Sequence, residues 1–229
     1  MDPAIRPNSF DHVALWVAER DALSHLLCDH LGMHVIEKTD SFTLVGVDAR
    51  EGKLTLFDAE GPREPGVLAR VVLRVRDLEA AVERLPDDLD LERGEHEVSF
   101  DAPDGLRLAL TERDGLEYDL DHVVLRVPEP ERTAAGLAGL GFAQRNGHLS
   151  VADRHVRLER GNAGTGERPL LNHLALLVDS ADGVKREAEE RGLEIAKVVD
   201  AANTLAVFVE GPDQIQLEYV EHKPGFSLV

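Results

Sequence analysis

Residues 120–127 read Leu-Asp-His-Val-Val-Leu-Arg-Val. Three other stretches repeat that opening: Phe10-Asp-His-Val-Ala-Leu-Trp-Val17, Leu68-Ala-Arg-Val-Val-Leu-Arg-Val75 and Leu171-Asn-His-Leu-Ala-Leu-Leu-Val178. Each is a leucine-rich, β-branched run of strand length. Such self-similarity marks a repeated supersecondary unit. A helix-period stretch follows each opening, near 18–31, 77–85, 129–140 and 181–191. In the second, Leu78, Ala81, Val82 and Leu85 share one face at i, i+3, i+4 and i+7. Short alternating strands then close each unit, near 34–38, 41–47 and 53–57 in the first and 194–199, 205–210 and 214–219 in the fourth. The unit is therefore β-α-β-β-β over roughly 45–55 residues.

Units two and four share a further signature before their last strand, Asp101-Ala-Pro-Asp-Gly105 and Glu210-Gly-Pro-Asp-Gln214, a tight turn into an alternating strand. The pattern reads as a doublet used twice, joined by the polar Thr111-Glu-Arg-Asp-Gly-Leu-Glu117. Two domains are expected, 1–116 and 117–229.

The bulk properties exclude several classes. A hydrophobic content of 43% with 30% charged residues describes an ordinary globular chain. No run approaches the roughly 18 to 20 apolar residues that a membrane-spanning helix needs. The opening MDPAIRPNSF has neither a basic leader nor an apolar core, and reads as a short arm. Cys28 is the single cysteine, which rules out an internal disulfide and a thiolate cluster and suits a reducing cytoplasm. A net charge of −19 argues against nucleic acid or an anionic membrane as partner. The cations are 20 Arg and 5 Lys, a bias that both a high-salt cytoplasm and a high-GC genome produce. A small-molecule substrate is the expected partner, with the oligomeric state, a homo-oligomer included, left open.

With four such units, the chain resembles the vicinal oxygen chelate superfamily of glyoxalases, extradiol ring-cleaving dioxygenases, certain epimerases and bleomycin-resistance proteins. The resemblance covers nearly the whole chain and rests on the repeat and its spacing. It implies an α+β fold of four βαβββ units paired into two domains, each a curved mixed sheet around a cavity with helices outside. The layout is most similar to the type I extradiol dioxygenases, in which only the C-terminal domain keeps metal.

The third residue of the openings is His12, Arg70, His122 and His173, and the last strands of units two and four carry Ala109 and Glu218 at equivalent places. The resemblance implies His122, His173 and Glu218 as the metal ligands, a set of two imidazoles and one carboxylate suited to Fe(II), with Zn, Ni, Co or Mn as other divalent choices. His12, whose partners would be Arg70 and Ala109, reads as a structural remnant.

Alternation along 151–159 puts His155, Arg157 and Glu159 on one strand face, and aligning that strand with 214–218 sets Glu159 level with Glu218. Two chemistries fit. In ring cleavage, Ala152-Asp-Arg-His155 resembles the segment carrying a pocket histidine, so His155 is the candidate acid/base, and Phe208-Val-Glu-Gly-Pro-Asp-Gln-Ile-Gln-Leu-Glu218 resembles the signature around the glutamate ligand. It departs where the signature has tyrosine (Phe208), at the absent histidine around 199–200, and at Val156. In a glyoxalase I-like lyase or an epimerase, Glu159 is the fourth ligand and the metal holds an enediolate. Glu159 also suits pairing with a nearby arginine, and His155 an exposed strand position. Arg157 is a candidate for an anionic substrate group, with Phe208 and Tyr219 as further substrate contacts and His222 at the pocket mouth. A third reading is a binding protein that uses the cavity alone.

Overall fold

The computed structural model describes residues 5–145, 148–162 and 167–226, which leaves residues 1–4 of the expected N-terminal arm outside. All four units fold as β-α-β-β-β. The first comprises β1 (Ser9–Val17), α1 (Arg20–His25), β2 (His34–Lys38), β3 (Phe42–Gly46) and β4 (Lys53–Asp58). The second comprises β5 (Leu68–Val75), α2 (Leu78–Val82), β6 (Glu92–Arg93), β7 (Glu97–Asp101) and β8 (Arg107–Glu112). The third has β9 (Leu120–Val127), α3 (Pro130–Gly139), β10 (Ala143–Arg145), β11 (His148–Val151) and β12 (Arg154–Arg160). The fourth has β13 (Leu171–Leu177), α4 (Ala181–Glu190), β14 (Ile195–Asp200), β15 (Thr204–Glu210) and β16 (Gln216–His222). Among the described residues no helix is long and apolar enough to cross a membrane.

The strands form two eight-stranded mixed sheets, ordered β14-β15-β16-β13-β1-β4-β3-β2 and β10-β11-β12-β9-β5-β8-β7-β6. In every unit the opening strand lies parallel to the last strand, and the openings meet antiparallel at the centre of each sheet. The expected division at 116/117 joins units one with two and three with four, whereas the sheets join one with four and two with three. The joint between units two and three explains the second pairing. Tyr118, at φ 61°, turns the chain back so that its N–H donates to Arg74 O while Arg74 N–H donates to Asp119 O, which lays β9 against β5. The other two joints run side by side, with Glu64 N–H donating to Arg168 O and Leu170 N–H to Glu64 O, and bring unit four back to unit one.

The doublets of the sequence survive as turn-on-helix contacts. The turn Pro103–Gly105 of unit two holds Asp104 at φ 64°, and its carboxylate accepts from the N–H groups of Ala18 and Glu19 just ahead of α1. In unit four, Asp213 at φ 53° accepts from the Thr133 hydroxyl on α3. Asp tolerates this left-handed conformation better than most residues, and its carboxylate here reaches donors on another unit.

Alternation divides each central strand. Val13, Leu15, Leu174, Leu176, Leu217 and Tyr219 point into one continuous core that also takes in Val71, Leu73, Val123 and Leu125 of the second sheet. Tyr219 is fully buried there, and its hydroxyl donates to Leu140 O at 2.6 Å, tying β16 to the end of α3. Replacing Tyr219 by Phe removes that bond and leaves a buried carbonyl unpaired. Chemical denaturation is expected to show a loss of about 1 to 3 kcal/mol, with cavity ligand affinity unchanged.

Candidate metal centre

Three donor atoms converge on the concave side of the first sheet. His12 Nε2 lies 3.1 Å from His173 Nε2 and 3.2 Å from Glu218 Oε2, and His173 Nε2 lies 2.8 Å from the same oxygen. Ligands at right angles around a cation with bonds of about 2.1 Å stand roughly 3 Å apart, so this spacing matches one triangular face of an octahedron. The three groups therefore fit a divalent metal.

Strand register accounts for the convergence. His12 sits opposite Ala175 and Ala14 opposite His173 across the β1/β13 seam, Ala175 is level with Glu218 on β16, and Ala14 is level with Thr55 on β4. Each histidine thus faces an alanine, which leaves room for the imidazoles and for Glu218 to meet above the sheet. Thr55 is the register equivalent of Glu218 in unit one, so the fourth position of the site carries a hydroxyl and no carboxylate.

The residue before each histidine orients it. Asp11 Oδ1 accepts from His12 Nδ1 at 2.7 Å and Asn172 Oδ1 from His173 Nδ1 at 3.0 Å. A carboxylate or amide oxygen can only accept, so each Nδ1 carries a proton, and it is Nε2 that can give up its proton and turn a lone pair to the site. Asp11 is itself buried and also receives His222 Nε2 at 2.8 Å and Lys53 Nζ at 3.0 Å. Burial opposes a charge on His12, yet the carboxylates of Asp11 and Glu218 outweigh it and lift the imidazole to about 9. Burial alone would raise Glu218, but the two histidines hold it near 2. Burial pushes His173 down.

The site opens into a cavity of about 520 Å³ walled by Trp16, Phe42, Phe57, Phe208 and Phe226, with His222 on its rim. Phe208 stands edge-on to His173 at 5.1 Å.

Several expected site residues lie elsewhere. His122 belongs to the second sheet and does not complete the trio. His12, read from the sequence as a remnant, occupies that place because unit one is the sheet partner of unit four. His155 is level with His122 on β12, and their rings stack at 4.5 Å with 11° between planes. Burial and the neighbouring His122 push His155 down to about 4, away from the neutral range expected of an acid/base. Asp121 holds His122 Nδ1 at 2.6 Å, which makes Asp121, His122 and His155 a second cluster of candidate ligands. The register position of Glu218 is filled in unit three by Arg157, level with Val124, and Glu159 lies two residues beyond it. Glu159 is salt-bridged to Arg70 at 3.0 Å and to Arg126 at 3.7 Å. Tyr219 points into the core, because alternation sends it away from the face that Glu218 uses.

A sequence signal for the true pairing exists. Units one and four read His12-Val-Ala-Leu15 and His173-Leu-Ala-Leu176, whereas units two and three read Arg70-Val-Val-Leu73 and His122-Val-Val-Leu125. The two middle valines, Val72 and Val124, pack with Ala109 where the first sheet leaves its opening.

No curated protein matches this sequence. Residues 9–117 match the model of the Glyoxalase/Bleomycin resistance protein/Dioxygenase superfamily. Among solved structures, a "putative dioxygenase" from Bacillus subtilis subsp. subtilis str. 168 is 17% identical, with TM-score 0.80 over 97% of this chain and 87% of that one. Glyoxalase I from Zea mays is 18% identical, with TM-score 0.73 over 93% and 92%. The cppA protein from Streptococcus pneumoniae TIGR4 is 15% identical, with TM-score 0.64 over 94% and 100%. These three likenesses are likenesses of fold. Residues 9–117 thus carry the sequence of the Glyoxalase/Bleomycin resistance protein/Dioxygenase superfamily, and nearly the whole chain shares its fold with these solved structures.

Proposed function

We propose that the chain is a metal-dependent oxidoreductase of the ring-cleaving dioxygenase type, with His12, His173 and Glu218 holding Fe(II). The observation that carries this reading is the three-donor face at the floor of an aromatic-walled cavity, with Thr55 and no second carboxylate at the fourth register position. A lyase or epimerase that takes its second carboxylate from the fourth register position lacks it here, since that position is Thr55 and Glu159 is paired with arginines in the other sheet. Fe(II) bound by such a triad supplies open positions for a chelating diol and for dioxygen. The name given to the Bacillus subtilis protein accords with this assignment.

The chain's own residues do the rest. The aromatic walls hold a flat ring and exclude water. Asp11 fixes His12 and, by accepting from His222 Nε2, leaves His222 Nδ1 free to take a proton from a substrate hydroxyl at the cavity rim. His222 replaces His155 as the candidate acid/base on this reading.

Anaerobic loading with Fe(II), followed by oxygen uptake on a panel of catechols, tests the assignment. Uptake is expected in the wild type and in Glu159→Gln, and is expected to vanish in His12→Ala and His173→Ala together with tight metal binding. Zinc or nickel retention without uptake would favour the lyase reading, and metal binding that survives His12→Ala would sink the triad. Asp11→Asn should weaken metal affinity about 10- to 100-fold in a chelator competition, since it loosens the orienting bond on Nδ1. His222→Gln should slow turnover roughly 100-fold or more with metal content unchanged; full turnover in that variant would remove His222 from the mechanism.

A further inference from the structure

The cavity gathers five of the chain's ten aromatic residues (seven Phe, two Tyr, one Trp) on its wall, which suits a flat apolar ligand. Its charged groups are unevenly committed. Lys53 and Asp11 pair with each other, Glu218 faces the histidines, and Glu37 stands on β2 at one edge of the sheet. Lys197 stands on β14 at the other edge. Of the five lysines, Lys38, Lys53, Lys185 and Lys223 each bind a carboxylate, while Lys197 has no carboxylate partner among the described residues. Lys197 is exposed at the cavity edge, and its ammonium is free to meet an incoming anion.

What holds Lys197 in place is aromatic. It is the cross-strand partner of Phe208, beside a register shift in β14, and its Nζ lies 4.1 Å from the centre of the Phe208 ring. That contact keeps the ammonium at the cavity wall without neutralising it. Phe208 in turn meets His173 at 5.1 Å, so the ammonium is no more than about 9 Å from the His173 ring, the span of one aromatic ring bearing substituents at opposite ends. A free anion approaching a chain of charge −19 is repelled overall and needs such a local cation to enter.

Building on the reading of this cavity as a substrate site, we infer that the substrate is an aromatic carboxylate, with its ring between the phenylalanine walls, its oxygens toward His12, His173 and Glu218, and its carboxylate on Lys197. Lys197 is then the residue that sets specificity, and an uncharged catechol is the poorer ligand.

Trp16 is the single tryptophan and lines the cavity, so its emission reports occupancy whether or not any reaction runs. The zinc-loaded chain, in which no oxygen chemistry proceeds, is titrated with 3,4-dihydroxybenzoate and with 4-methylcatechol. The acid is expected to bind about 10-fold more tightly, the scale of one charge-assisted contact. Lys197→Met should abolish that preference, Lys197→Arg should keep it, and Lys197→Glu should reverse it. Added salt should weaken the acid's binding in the wild type more than in Lys197→Met. Equal affinities in the wild type, or an acid preference that persists in Lys197→Met, would overturn the inference. A preference that follows Lys197 in a chain showing no oxygen uptake would uphold the inference while removing ring cleavage.

Discussion

The antiparallel seam between β1 and β13 sets His12 against Ala175 and Ala14 against His173, and the candidate site exists because both opposing residues are alanines. Directly opposed residues on one face of a sheet stand about 5 Å apart, so a side chain larger than a methyl at either place would fill the space the imidazoles use. The second sheet provides the comparison within the same molecule. Its seam sets Val72 against His122 and Val124 against Arg70, and those valines close over the opening with Ala109. Two extra methyl groups at each of two positions, together with the exchange of His12 for Arg70 and Glu218 for Arg157, separate a triad that fits a cation from a site closed over by valines.

The repeat and the β-α-β-β-β order were legible in the sequence, because strand alternation and helix period are local properties; the same alternation sends Tyr219 to the core and away from the cavity where it was expected. His173 and Glu218 came from the family resemblance laid on the repeat, and the structure brings their side chains within 2.8 Å of each other. The third member of the trio was not legible. Periodicity says which residues share a face but not which of four similar openings becomes whose neighbour, and assigning His122 in place of His12 followed from pairing the units in chain order. Glu159 shows a related limit. Sequence alignment of the two strands sets it level with Glu218, while the ladder pairs Glu159 with Arg126 and puts Arg157 in the equivalent place. In strands a two-residue slip preserves the face and changes the neighbour, so alternation alone cannot detect it.

The Pro-Asp turns show how a correct sequence observation can carry another meaning. They recur in units two and four because each docks on the helix of the unit before it, Asp104 on the chain leading into α1 and Asp213 on Thr133 of α3. The doublets interlock through turns and helices while the sheets cross-pair. Each unit is thus fixed to two others by different means, and neither kind of contact alone defines a domain.

That interlocking explains why a second sheet whose equivalent of the site is closed is still required by the first. The helices are short, with α2 at 5 residues and α3 and α4 at 10 each, too little to cover the back of an eight-stranded sheet. The apolar backs of the two sheets instead share one core with the helices. Tyr219, the neighbour of Glu218, finds the partner for its hydroxyl on Leu140 of unit three. Removing units two and three would expose Val13, Leu15, Leu174 and Leu176 and would free the strand that carries the carboxylate of the trio. Holding three donor atoms within about 3 Å of one another demands a rigid frame. In this chain the half without the triad supplies that rigidity.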